Sequence, residues 1–285
     1  MAPAEPELPP LREVIARHGL SARKALGQHF LLDQNLTSRI VRAAGPLEGA
    51  CVIEVGPGPG GLTRSLLQSP ARQVIAIEKD TRCLAALAEL DQAFPGRLLL
   101  IEGDALEQRL ADLGEMPRRV VANLPYNVAT PLTLAWMAEL AADPEQVESF
   151  TLMFQKEVAE RLAAKPGSKD YGRPTVMVQW LCRVELLFDI SPRAFTPPPK
   201  VTSSLLALRP RPEPLAPAPL WALERVTGAA FGQRRKMLRQ SLKPLGLDTA
   251  RLLGEAGVAE TKRPEDLPVE AFCALARGLA AADQR

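Results

Sequence analysis

The chain is poor in the side chains that most often hold transition metals. Its 285 residues include two histidines and four cysteines. Cys51, Cys83, Cys182 and Cys273 lie far apart and form no CxxC pair. Zinc centres draw on such ligands at close spacing, so no metal site is expected. Four reduced, buried thiols of a cytosolic protein are expected instead. Long apolar runs are also missing. None approaches the roughly 20 residues of a membrane span, so no membrane association is expected. The opening MAPAEPELPP is acidic and proline-rich, without the apolar core of a secretory signal. A cytoplasmic location and a loose tail over residues 1–20 are the expectations that follow. Neither sign of charge dominates, because 35 Lys and Arg face 33 Asp and Glu. A nucleic-acid surface would have to come from local clusters. No internal repeat and no sign of oligomerisation are found, so a monomer is expected. Aromatics make up 5%, with two tyrosines, so the setting of each one carries information.

What is present is enough apolar material for a core, at 46% of residues. The pattern predicts helix over residues 11–45, ending at Gly45-Pro46. Buried strands are predicted at 51–56, 73–80, 97–105 and 118–126, with GLTRSLLQ, TRCLAALAELD and PLTLAWMAELA as helices after the first, second and fourth. SFTLMFQKEVAERLAA reads as strand and then helix. TVMVQWLCRVELLFDI (175–190) and SSLLALRP (203–210) read as further strands. Alternating strand and helix favour an α/β fold with a parallel sheet covered on both faces. The late strands suggest an antiparallel edge. RPRPEPLAPAPL (209–220) is stiff and proline-rich, an interdomain linker. Helical patterns alone follow it. The expected division is a Rossmann-like domain over 21–210 and a helical domain over 211–285.

VIEVGPGPGGLT sets Gly56, Gly58 and Gly60 between a strand and a helix. Glycines there let the backbone turn sharply and approach a ligand. About 20 residues further on, the next strand ends at an acid, Glu78, where a ribose-binding carboxylate is expected. Asp104 and Asn123 end the following strands. Ligands of doubly wound sheets bind at those carboxyl ends. The loop alone leaves two readings open, a dinucleotide oxidoreductase and an S-adenosylmethionine enzyme.

VVANLPYN (120–127) ends a core strand in an amide, a proline and an aromatic ring. That set suits a flat base bearing an amine. An exocyclic amine has its lone pair delocalised into the ring. An acceptor such as the Asn123 side-chain oxygen can bond its N–H groups and aim the lone pair. Pro125 constrains the turn so that the Leu124 carbonyl can point inward. Tyr126 offers a ring face for stacking.

RKALGQHFLLDQ, VIEVGPGPGGLT, VIAIEKD, IEGDAL, VVANLPYN, FQKEVAERL, KPGSKDYGR and FTPPPKVTSS occur in this order. Together they resemble the ribosomal RNA adenine dimethyltransferase family, over roughly residues 20–285. The likeness is greatest to its bacterial members that dimethylate two adjacent adenosines near the 3′ end of small-subunit ribosomal RNA. The resemblance implies a class I, Rossmann-like methyltransferase domain with a small helical C-terminal domain, and S-adenosyl-L-methionine as methyl donor. It implies that His29 and Leu31 meet the methionine part of the cofactor. Gly56, Gly58 and Gly60 would cradle it, Glu78 would take the ribose and Asp104 the adenine amine. Asn123, Leu124, Pro125 and Tyr126 would form the target-amine site, with Phe195 as a second stacking face. The family commonly has Asn where this chain has His29. An imidazole can still donate to a carboxylate, and it adds a group that can titrate near neutrality.

Given such a core, the basic clusters read as phosphate contacts. They are Arg23 and Lys24, Lys165, Lys169 and Arg173, Lys200, and Arg234, Arg235, Lys236, Arg239 and Lys243. The expected partner is small-subunit ribosomal RNA within an assembling subunit. Alternatives are a resistance-type enzyme acting on large-subunit RNA, a DNA adenine methyltransferase, and a non-catalytic assembly factor. DNA enzymes usually carry Asp-Pro-Pro-Tyr or Asn-Pro-Pro-Tyr, from which Leu124 departs.

Overall fold

A computed structural model describes residues 6–283 of the chain. Its strands are β1 (Phe30–Leu31), β2 (Cys51–Val55), β3 (Gln73–Glu78), β4 (Leu98–Glu102), β5 (Arg118–Asn123), β6 (Ser149–Gln155), β7 (Cys182–Ile190), β8 (Phe195–Thr196) and β9 (Ser203–Pro210). Seven of them form one sheet in the order β4-β3-β2-β5-β6-β9-β7. The run from β4 to β6 is parallel, and β9 joins β6 antiparallel. This is the α/β architecture expected, with its antiparallel addition. β2 is buried at every position, as a central parallel strand covered on both faces must be. From β2 the chain builds outward one way through β3 and β4, then returns to add β5 on the other side. That reversal makes β2 and β5 the switch point, where ligands of such sheets bind.

Two compact units divide the chain. The first takes the chain up to Ala135 together with Glu145–Ala159 and Glu185–Arg209. Its core includes Val52, Leu66, Val74, Leu87, Val121 and Met153. The second takes Trp136–Pro144, Glu160–Val184 and everything from Pro210 onward. Inside it Phe231 stacks on Phe272 at 5.5 Å and meets Tyr171 at 6.1 Å. Trp180 Nε1 donates to the Ala216 carbonyl at 2.8 Å. The division expected at residue 210 marks only the last of these segments.

Four local expectations are corrected. Residues 175–181, read as the first part of a strand over 175–190, belong instead to the helix Arg173–Leu181. Pro174 suits a first helical turn. Six of the nine side chains are buried, so the apolar run has no polar face to reveal a helical period. Residues 11–45 are not one helix. Helices Leu11–Arg17 and Gln34–Ala43 are separated by Gly19 at φ 58° and by β1, and Asp33 caps the second by accepting from Asn35 and Leu36. The stretch expected as a loose tail includes the first of these helices. Its Leu11 and Val14 are buried, because an apolar face that can reach the core leaves water. Residues 1–5 lie outside the described part. Finally, β5 ends at Asn123 and the next helix begins at Tyr126, not Pro131.

Candidate active site

A cavity of about 240 Å³ opens at the carboxyl ends of β2 to β5. Its floor is the glycine loop. Gly56 has φ 68°, and a Cβ there would press Pro125 at 3.3 Å. Gly58 has φ 57°, and its Cβ would press the Phe30 ring at 3.3 Å. Both positions therefore need glycine for conformation and for space. Gly60 is not on the cavity wall. A Cβ there would strike Leu90 at 2.7 Å, so its role is helix packing. Gly61, which sequence reasoning passed over, is the tighter position. A Cβ would fall 2.2 Å from the Leu31 carbonyl oxygen.

The strand-end acids line the same cavity. Glu78 is buried. Its Oε2 accepts from the Gly58 N–H at 2.8 Å and its Oε1 from the Asp80 N–H at 2.7 Å. Burial pushes its carboxyl up, while those two N–H groups pull the other way. Each oxygen keeps a lone pair for a hydroxyl. Asp104 accepts from Lys79 Nζ and the Leu106 N–H at 2.8 and 3.0 Å, and the Lys79 bond holds it below the usual carboxylate range.

Sequence reasoning missed a third acid, Glu54, inside β2. Its signal was a carboxylate within an otherwise apolar CVIEV. It is 1% exposed, and its Oε2 has no hydrogen-bond partner. Burial, with a smaller push from the Glu78 charge, raises it to about 8. Glycines that leave no room for a side chain, strand-end carboxylates and a buried acid with one unpaired oxygen suit a nucleoside carrying a cationic tail. S-adenosyl-L-methionine is such a group.

The cavity is roofed by residues 25–31. β1 of this segment pairs with β8, Phe30 with Thr196 and Leu31 with Phe195. Gln28 Nε2 bonds Asp80 Oδ2 at 2.9 Å, a contact no motif announced. Arg82 also bonds Asp80 and holds its carboxyl down to about 2. His29 Nδ1 lies 2.7 Å from the Pro197 carbonyl. A carbonyl only accepts, so this nitrogen carries the proton.

Asn123, Leu124, Pro125 and Tyr126 share one wall. Asn123 Nδ2 donates to the His29 carbonyl at 3.2 Å, leaving Oδ1 as acceptor. The Tyr126 ring stands 5.6 Å from the His29 ring, and its Oη bonds Ser203 Oγ at 2.6 Å. Burial raises the phenol. Phe195 is not on the cavity wall. It is 3% exposed within the core, with the His29 ring 6.4 Å away edge-on.

The basic residues differ in use. Arg23, Lys165, Lys169, Arg173, Lys200, Arg235, Lys236, Arg239 and Lys243 are exposed. The side chain of Lys24 lies outside the described part. Arg234 is committed internally, bonding Glu265 at 2.8 Å and the Ser168 carbonyl at 3.3 Å.

The chain is similar to known proteins. A ribosomal RNA adenine dimethylase family pattern matches residues 19–281. A ribosomal RNA small subunit methyltransferase A of Rhodospirillum rubrum is 62% identical over 275 residues, covering 96% of this chain and 94% of its own. Its counterpart in Paramagnetospirillum magneticum is 60% identical, covering 96% and 95%. Among solved structures, a dimethyladenosine transferase from Plasmodium falciparum superposes with a TM-score of 0.73 at 24% identity, over 90% of this chain and 98% of that one. The 23S rRNA methyltransferase ErmE gives 0.62 at 28% identity, over 88% and 99%. The chain belongs to the ribosomal RNA adenine dimethylase family.

Proposed function

We propose that this chain transfers methyl groups from S-adenosyl-L-methionine to the N6 of two adjacent adenosines near the 3′ end of small-subunit ribosomal RNA, giving dimethyladenosines. The observation that carries the reading is the Asn123 amide. It sits on the wall of the glycine-floored cavity with its N–H held by His29 and its Oδ1 free. When bound, S-adenosyl-L-methionine supplies an electrophilic sulfonium methyl group. Gly56 and Gly58 would admit it, Glu78 would take the ribose hydroxyls, Asp104 would take the adenine amine, and Glu54 would lie on the wall toward its cationic part.

Asn123 Oδ1 and the Leu124 carbonyl then accept the two N6 hydrogens and point the lone pair at the cavity. Positive charge passes to that nitrogen during transfer, and fixed oxygens beside it lower the barrier. The proton leaves to water, so no strong base is required. Tyr126 stacks on the extruded base, which returns about 1–3 kcal/mol of the unstacking cost. Phe195 backs the His29 ring from the core instead of facing the base.

The exposed lysines and arginines carry the RNA phosphates, within an assembling small subunit in the cytoplasm, with the chain acting as a monomer. A large-subunit substrate is less well supported. The enzyme acting there is 28% identical to this chain, against 62% for a small-subunit enzyme of nearly equal coverage. The test is methyl transfer from labelled cofactor to unmodified small-subunit particles, with large-subunit RNA and duplex DNA alongside. Dimethyladenosine from the small-subunit particle alone is the expected result. Label on large-subunit RNA alone would overturn the substrate, and no label anywhere would overturn the activity.

A further inference from the structure

Ser203 opens β9 and is fully buried, opposite Gln155 of β6. It does not line the cavity. Its hydroxyl instead bonds the Tyr126 phenol at 2.6 Å. The next residue, Ser204, is as buried but points to the other face, as successive strand residues must. It bonds Asp189 at 2.6 Å.

The second torsion of a tyrosine side chain is broad. A ring whose far end is tied to a sheet strand has much less freedom of tilt. We propose that Ser203 is a positioning residue which, by fixing the Tyr126 ring, carries the reaction on from the monomethyl to the dimethyl product. The inference rests on the reading of Asn123 to Tyr126 as the amine site.

Each transfer forms an N6–carbon bond as the carbon–sulfur bond breaks, its electron pair staying on sulfur, and one N6 proton leaves to water. In the first transfer two N–H groups engage two acceptors, so hydrogen bonds fix the amine. The monomethyl base keeps one N–H. One acceptor then stands idle, and the base is oriented chiefly by the ring it stacks on. The second transfer is therefore the step that depends on the tilt of Tyr126.

The test is a single-turnover time course on unmodified small-subunit particles, with monomethyl- and dimethyladenosine counted separately. Ser203→Ala should leave the first transfer within about threefold and slow the second about tenfold, the scale of one lost hydrogen bond, so that monomethyladenosine accumulates. Ser203→Thr, which keeps the hydroxyl, should restore the normal ratio. Tyr126→Phe should give the ratio of Ser203→Ala, and the double variant should be no worse than either. Ser204→Ala should leave the ratio at the wild-type value.

A wild-type ratio in Ser203→Ala would overturn the inference, as would an equal shift in Ser204→Ala, which would mean general damage to the strand. Should Ser203→Ala not fold, a wild-type ratio in Tyr126→Phe overturns it instead. A wild-type protein that makes no methyladenosine at all would remove the amine-site reading and this inference with it. A wild-type enzyme that dimethylates normally beside a variant that does so equally well would remove the inference alone.

Discussion

Asn123 donates its side-chain N–H to the main-chain carbonyl of His29 at 3.2 Å. One hydrogen bond thus settles which way the amide faces, and it is made by a segment almost a hundred residues earlier in the chain. In the reading proposed above, the roof of the cavity orients the acceptor for the target amine.

Asn123→Asp tests that relationship. A carboxylate cannot donate to His29, and its charge faces a carbonyl oxygen. Methyl transfer should fall by about 10²–10³-fold, the scale of a lost, fixed polar contact to the reacting centre. Cofactor affinity, read by calorimetry, should change far less. An equal loss in both would place Asn123 in cofactor binding alone.

Gly61→Ala should weaken cofactor binding by more than about tenfold, since the new Cβ would lie 2.2 Å from the Leu31 carbonyl oxygen and the roof must lift. Gly228→Ala is the matched control. It lies in the helix Leu220–Gly232 with nothing within 4 Å of the added carbon. There alanine should raise stability by about 0.5–1 kcal/mol, through helix propensity. Thermal unfolding and cofactor titration of the two variants separate the effects.

Glu54 makes stability depend on pH. Its folded carboxyl is raised by burial to about 8, above the ordinary 4.5 of the unfolded chain. Below 4.5 both states are protonated and no penalty exists. Between 4.5 and about 8 the unfolded state has released the proton and the folded state has not. Folding stability therefore falls as pH rises through that window, by up to about 1.4 kcal/mol per pH unit. Denaturant melts at a series of pH values should show Glu54→Gln gaining on the wild type across the window and keeping a constant lead above it. Parallel curves throughout would contradict the burial account.

Much of this architecture was legible from the sequence. Strands β2 to β6 announce themselves as short apolar runs broken by turns, and the glycine loop and its acids follow them in register. What was not legible depends on residues far apart. β1 and β8 are two residues each, too short to carry a period, and exist only because they pair. The Arg173–Leu181 helix is buried nearly all round, so its side chains lack the alternation that separates helix from strand. Phe195 sits in a motif beside the site, yet its direction is set by β8 pairing, which turns the ring to the core. Ser203 was hidden for the same reason, since its partner is distant in sequence.

Arg234 and Arg235 are neighbours with different work. Arg234 is held by Glu265 and Ser168, while Arg235 and Lys236 are exposed. Neutralising Arg235 and Lys236 together should weaken RNA binding and flatten its log–log salt dependence by roughly 1.4–1.8 units, one counterion per lost phosphate contact. Arg234→Met should instead lower thermal stability with little change in salt slope. An unchanged slope in the double variant would remove both residues from the interface.

The most direct test maps the product to the nucleotide. Small-subunit particles lacking the modification are incubated with the protein and S-adenosyl-L-methionine, and the RNA is reverse-transcribed from its 3′ end. Dimethylated N6 has no N–H left to pair, so the copy stops there. The account requires stops at two adjacent adenosines near the 3′ end, absent without cofactor and absent with Asn123→Asp. Full-length copies from treated particles, or stops elsewhere in the RNA, would contradict it.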